Sequence, residues 1–283
     1  MRTVLALLAA LVTFGCTATF FQPQRALLGT PDRVGVRYES LTLRAADGVE
    51  LTAWFMPASG KARATVLFLH GNAENISTHF LSVAWMPAEG FNVLALDYRG
   101  YGGSAGSPSL AGIQIDIDAA LEALLARPDV DATRIVLFGQ SLGGALAIHY
   151  AARGAQRGAL RAVISDSAFA DYRMIVSEKL AGFFLTWPFQ WVPALTVDND
   201  YSPLASIGAV SPLPLVLIHG EADAIVPPHH AQRLYEAARP PKELWMLPGT
   251  GHIQSARDPA LRQRLSDYLR RLVGVHPGLL DER

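Results

Sequence analysis

Ser141, Asp223 and His252 are the residues of this 283-residue chain whose types could together make an activated nucleophile. A serine hydroxyl attacks a carbonyl carbon poorly at neutral pH. It needs an imidazole within hydrogen-bond reach, and the imidazole needs a carboxylate to fix its tautomer and stabilise its charged form. Ser141 stands in Gly139-Gln140-Ser141-Leu142-Gly143, the Gly-x-Ser-x-Gly pattern in which a sharp strand-to-helix turn lifts the hydroxyl out of a sheet. Such a turn tolerates almost no side chain two residues either side of the serine. With Gly and Ser each near ~7% of residues, the pattern arises by chance in about one chain in ten of this length. Its context must therefore decide.

The context is a strand before and a helix after. Ile135-Val136-Leu137-Phe138 suits a strand buried on both faces, and the Ala/Leu-rich run beyond Gly144 suits a helix. The N-terminus of that helix presents free N–H groups and a positive dipole end to a developing oxyanion. Further apolar runs at 64–69, 91–96, 162–164, 213–218 and 242–247 each end at a loop with polar residues: His70, Asp97, Asp166, Asp223 and His252. Helical periodicity predicts helices at 75–86, 109–126 (Ser109 as cap), 229–238 and 258–272. This alternation implies a mostly parallel sheet flanked by helices, its strand-end loops sharing one rim. Runs at 36–44 and 49–56, joined through Asp47-Gly48, predict an N-terminal antiparallel hairpin. The rhythm breaks at about 168–210, where Phe183, Phe184, Trp187, Phe189 and Trp191 crowd together. That stretch reads either as a cap-like insertion roofing the site or as an ordinary helix pair on the core.

The chain is 50% hydrophobic and 17% charged, against roughly 25% charged in an average domain. It is long enough for one large core, with no linker dividing it. A net charge of -1 favours no nucleic acid or other polyanion. The single cysteine, Cys16, excludes an internal disulfide and a Cys-based zinc site. Arg2 followed by the apolar run 4–12 matches the charged and hydrophobic regions of an export signal, and Phe14-Gly15-Cys16 resembles the end of a bacterial lipobox. The organisation expected is a leader at 1–15, Cys16 lipidated, a lead-in at 16–35, the globular domain at 36–273 and a tail at 274–283. The protein would then be exported and membrane-anchored. An uncleaved anchor is the alternative, since 4–21 carries no charge over 18 residues.

His70-Gly71-Asn72, Asp97-Tyr98-Arg99-Gly100-Tyr101-Gly102, the Ser141 elbow, His219-Gly220-x-x-Asp223-x-x-Val226-Pro227 and Gly251-His252 follow one another in an order that resembles α/β-hydrolases. The group most similar contains serine aminopeptidase-like and monoglyceride-lipase-like enzymes, and the resemblance covers about 36–273. It implies an α/β-hydrolase fold with Ser141 as nucleophile, His252 as base and then acid, and Asp223 as the orienting acid. The backbone N–H groups of Asn72 and Leu142 would form the oxyanion hole. It implies a serine hydrolase of carboxylic esters, on acyl lipids or small acyl esters, without a cofactor. A peptidase is the alternative, and a non-catalytic binding module a remoter one. A peptidase would need carboxylates for the substrate amine, and Glu178 is the only acid between Asp171 and Asp198.

Other residues compete for roles. Asp166 also ends a strand and is the alternative triad acid. His229-His230 reads as solvated surface rather than a metal site, because adjacent histidines point apart and no carboxylate cluster accompanies them. Asp116 and Asp118 read as a solvated helix face, His149 as a packed or rim residue, and Ser104 as a serine without elbow context. No metal is expected, and the oligomeric state is open.

Overall fold

The computed structural model describes residues 20–274. Cys16, the expected leader and nearly all of the expected tail lie outside them. Eight strands form the main sheet: β1 (Glu39–Arg44), β2 (Glu50–Met56), β3 (Ala64–Leu69), β4 (Phe91–Leu96), β5 (Ile135–Gln140), β6 (Leu160–Asp166), β7 (Leu215–Gly220) and β8 (Lys242–Leu247). Their order is β8-β7-β6-β5-β3-β4-β2-β1. The pairs β1/β2 and β2/β4 are antiparallel, and every other pair is parallel. The expected hairpin therefore starts the sheet, and the mostly parallel sheet follows.

The central strands read as continuous apolar runs because both of their faces are covered. Leu67 and Leu69 point into one core with Leu137, while Val66 and Phe68 point into the other with Phe138. The five longest helices are α1 (Leu110–Leu125), α2 (Leu142–Arg153), α3 (Tyr172–Ala181), α4 (His229–Ala237) and α5 (Pro259–Gly274). Ser109 caps α1, accepting the N–H of Gly112 at 3.1 Å. Helix α2 is buried from Leu142 to Ala152, which its Ala- and Gly-rich composition allows. No helix among the described residues is long and apolar enough to cross a membrane.

Three expectations are corrected. The helix predicted over 75–86 is one turn, Ile76–His79, followed by a 3-10 turn at Phe80–Ser82. β-branched Ile76, Thr78 and Val83 favour a helix weakly, so the turn stays short although Asn75 caps it, its Oδ1 accepting the Ser77 N–H at 2.9 Å while its Nδ2 donates to the Gln24 and Ala26 carbonyls. Asp116 is not a solvated face residue. It is fully buried and accepts three N–H groups of Arg99: the backbone N–H at 2.9 Å, Nε at 2.9 Å and Nη2 at 2.7 Å. Helical period placed Asp116 correctly on α1, but only the position of Arg99 across the packing interface reveals it as buried. Asp118 on the same helix is half-buried and accepts the Tyr150 hydroxyl.

Segment 182–209 is a series of short turns rather than a helix pair: Trp187–Phe189, Pro193–Thr196, Pro203–Ser206 and Ile207–Ala209. Its aromatic side chains are exposed instead of lying on the core, with Phe184 at 76% and Trp191 at 60%.

Candidate active site

Ser141 sits between β5 and α2 with φ at +53°, a left-handed value that a non-glycine residue adopts only under local constraint. The constraint is the close approach of backbone on both sides. A Cβ at Gly139 would stand 2.0 Å from the Gly143 carbonyl oxygen, and one at Gly143 would stand 2.1 Å from that of Leu69. Any other residue at either position would push the elbow apart. Leu142 is the first residue of α2, so its N–H has no intrahelical acceptor. The loop after β3 lies directly alongside: a Cβ on Gly71 would be 3.7 Å from that of Ser141. Asn72 follows in this loop.

His252, in the loop after β8, reaches both partners. Its Nε2 is 3.0 Å from the Ser141 hydroxyl, and its Nδ1 is 2.7 Å from Asp223 Oδ2. Asp223 is in turn fixed, because its Oδ1 accepts the N–H groups of Ile225 at 2.9 Å and Val226 at 2.8 Å. Burial pushes its carboxyl up, but the His252 bond and these amides outweigh burial and hold it below the usual carboxylate range. Asp223 thus stays ionised where a buried anion can orient an imidazole. The chain brings Ser141, Asp223 and His252 from three loops to one rim, where His252 stands between Ser141 and Asp223.

Asp166 is elsewhere employed. Its side chain accepts Gln140 Nε2 at 2.8 Å, Ser255 Oγ at 2.5 Å and Ser167 Oγ at 3.0 Å. Burial raises its pKa, and these three donors act against that rise. Gln140 precedes the serine of the elbow and Ser255 follows His252 by three residues, so Asp166 ties the nucleophile turn to the histidine loop. Ser167 strengthens the tie by accepting the N–H of Ile253 at 3.2 Å. This linking role has no sequence signature beyond an acid at a strand end.

A second feature absent from the sequence reading concerns the lead-in. Gln22–Pro23 pairs in parallel with Ala73–Glu74, immediately after Asn72. The Asn72 side chain donates to the Phe20 carbonyl at 2.6 Å and accepts both the Gln22 N–H at 3.2 Å and the Tyr101 hydroxyl at 3.0 Å. The irregular lead-in is therefore a strap along the candidate oxyanion loop. Below that loop His70 is fully buried, and burial together with nearby His79 keeps it neutral, well under the usual histidine range. Asp97 is 3.5 Å away and is pushed up by burial to about 7. Both groups support the loop from within the core and face no substrate. His149 is buried against Tyr201, and buried Ser104 bonds the backbone of Asp97 and Thr52, so neither competes with Ser141.

The histidine pair departs from its expected place. The rings of His229 and His230 stack at 4.6 Å, and both Nε2 atoms reach Glu178 on α3, at 2.9 and 3.0 Å. His230 is wholly buried rather than solvated. The ligand atoms of the three residues lie within 4.8 Å of one another, close enough to share one metal ion. However, the Ala170 N–H donates to His230 Nδ1 at 3.0 Å, which leaves the ring proton on Nε2. That proton occupies the atom a metal would need, so Glu178 and His229 alone are poised to ligate. The cluster is better suited to clamping α3 onto α4.

Comparison with known proteins identifies the family. Residues 60–209 match the family described as serine aminopeptidase, S33, a span that includes Ser141 and stops before Asp223. The chain is 39% identical over 257 residues to the uncharacterized protein YfhR of Escherichia coli K12, covering 88% of this chain and 86% of that one. It is 31% identical over 258 residues to protein bem46 of Schizosaccharomyces pombe, covering 89% and 83%. In fold it is similar to an esterase of Pyrococcus furiosus, with a TM-score of 0.70 at 21% identity over 90% of this chain and 97% of that structure. The chain belongs to the serine aminopeptidase family of α/β-hydrolases.

Proposed function

We propose that the protein is a serine hydrolase that cleaves carboxylic esters through an acyl-enzyme. The observation that carries this is His252 held between Asp223 and Ser141 at 2.7 and 3.0 Å. With Nδ1–H donated to ionised Asp223, Nε2 is left as the base that takes the Ser141 proton as Oγ attacks the ester carbon. The N–H groups of Leu142 and Asn72 stabilise the oxyanion, and preorganised donors of this kind contribute about 3 kcal/mol each. His252 then protonates the departing alkoxide, and water repeats the cycle on the acyl group. No step draws on a metal or cofactor.

An ester is favoured over a peptide N-terminus because Glu178 is already engaged. Both His229 and His230 occupy its carboxylate, so it is not free to receive a substrate ammonium. The leader motivates the second half of the proposal: the protein is exported and tethered to a membrane, through lipid on Cys16 or through an uncleaved apolar anchor. Its substrates are acyl lipids or small acyl esters.

A tagged fluorophosphonate should label the wild-type chain and fail on Ser141→Ala, with hydrolysis of an aryl acetate falling by about 10³-fold or more in that variant. Aryl acetate turnover near wild type in Ser141→Ala would remove the nucleophile assignment. An ester panel of graded chain length run beside aminoacyl anilides separates ester from peptide specificity. Incorporation of a palmitate analogue, abolished in Cys16→Ser, tests the lipid tether.

A further inference from the structure

Twelve large apolar side chains are exposed among the described residues, and seven of them lie between Phe183 and Leu195. Between Lys179 and Asp198 the sequence has no charged residue. Leu185, Trp187, Phe189 and Leu195 are each more than half exposed, as are Phe184 and Trp191. A contiguous segment this apolar and aromatic is costly to leave in water and marks an interaction surface.

What covers it follows from where the chain leaves the described residues. Phe20 packs its ring against Phe169 at 5.8 Å and Tyr172 at 5.5 Å, and its carbonyl takes the Asn72 side chain. Tyr172 opens α3, whose ten residues span about 15 Å and lead directly into the aromatic segment. Only three residues separate Cys16 from Phe20, and the four Cα–Cα steps reach at most about 14 Å. A membrane attachment at Cys16 therefore lies close to both the Asn72 loop and the start of α3.

We infer that the exposed face at 183–195 seats in the lipid bilayer to which residues 1–19 tether the chain, so that the Ser141 site opens beside lipid. The inference rests on the membrane tether of the proposed function. Tryptophan and phenylalanine without neighbouring charge suit the interfacial zone of a zwitterionic bilayer and need no anionic headgroup. The same geometry assigns the substrate class: acyl esters resident in that membrane, reached without passing through bulk water.

The test uses the full chain reconstituted in phosphatidylcholine vesicles whose acyl chains carry bromine, a contact quencher of tryptophan. Emission should fall relative to unbrominated vesicles, and most of that fall should vanish in Trp187→Phe/Trp191→Phe. The other three tryptophans then serve as the internal reference. Equal emission in the two vesicle types would overturn the inference, as would quenching that the double variant leaves intact. A doubled mass without lipid, with Trp187 and Trp191 already shielded from aqueous iodide, would assign the face to a second copy instead. Fluorophosphonate labelling of Ser141 in the same samples reads the hydrolase proposal independently of quenching.

Discussion

The Asn72 side chain donates to the carbonyl of Phe20 at 2.6 Å, so the loop proposed to bind the oxyanion is pinned by a residue of the lead-in. Its carboxamide oxygen also accepts from Gln22 and Tyr101. Asn72→Ala removes all three bonds while keeping the backbone N–H. The expected result is a fall in kcat of about 10- to 100-fold with KM little changed, since the oxyanion forms only in the transition state. A fall confined to KM would show that Asn72 acts on substrate binding rather than on the oxyanion donor.

Asp223 and Asp166 should separate by mechanism. Asp223→Asn presents an amide to His252 Nδ1 and stabilises the wrong tautomer, so turnover should drop by about 10³- to 10⁴-fold with the melting temperature little altered. Asp166→Asn keeps an oxygen for some of its donors and leaves His252 untouched. It should cost about 1–3 kcal/mol of stability through the disturbed Gln140 and Ser255 bonds, with a much smaller loss of turnover. Paired kinetics and thermal melts check this, and the reverse ranking would move the orienting acid to β6.

How much of this could be read from sequence depends on the range of the interactions. The elbow, the strand-end acids and the order of Ser141, Asp223 and His252 are local patterns. Apolar runs fix the strands, and a parallel sheet must gather their ends on one rim. Asp116 and His230 defeated that reading because their partners, Arg99 and Glu178, are 17 and 52 positions away and meet them only through packing. The strap at Phe20 and Gln22 is held through backbone groups, which every residue possesses, so no residue type announces it. The exposure of the aromatic segment was likewise hidden, because aromatic density is the same whether the rings face core or solvent.

The Arg99 cluster should be strongly destabilised by removal of its cation. Arg99 is held by Asp116 and Asp47, and both pairs include a contact of 2.7 Å. Asp116 is fully enclosed, and burial raises its carboxyl pKa even beside Arg99. Arg99→Ala leaves that group without its partner, a change that costs about 3–5 kcal/mol. Urea denaturation of the two proteins measures it. Adding Asp116→Leu should recover part of the loss, because no uncompensated acid is then buried.

The Glu178 clamp should show its charge in the pH dependence of stability. Burial alone would raise the carboxyl, but the bonds from His229 and His230 prevail and place it below its unperturbed value of 4.5. A carboxyl depressed in the folded state binds fewer protons there than in the unfolded state. Its stabilisation is therefore present above the unfolded pKa and disappears as pH falls through the folded one. Glu178→Gln keeps the shape and one acceptor but not the charge. Its melting temperature should lie below that of wild type at pH 7, and the gap should close on acidification below about pH 4.5. Because the carboxylate is one-third exposed, added salt should narrow the gap at pH 7. A gap that stays constant from pH 7 to pH 3.5 would mean that the clamp holds α3 by shape and packing, with the charge of Glu178 contributing nothing.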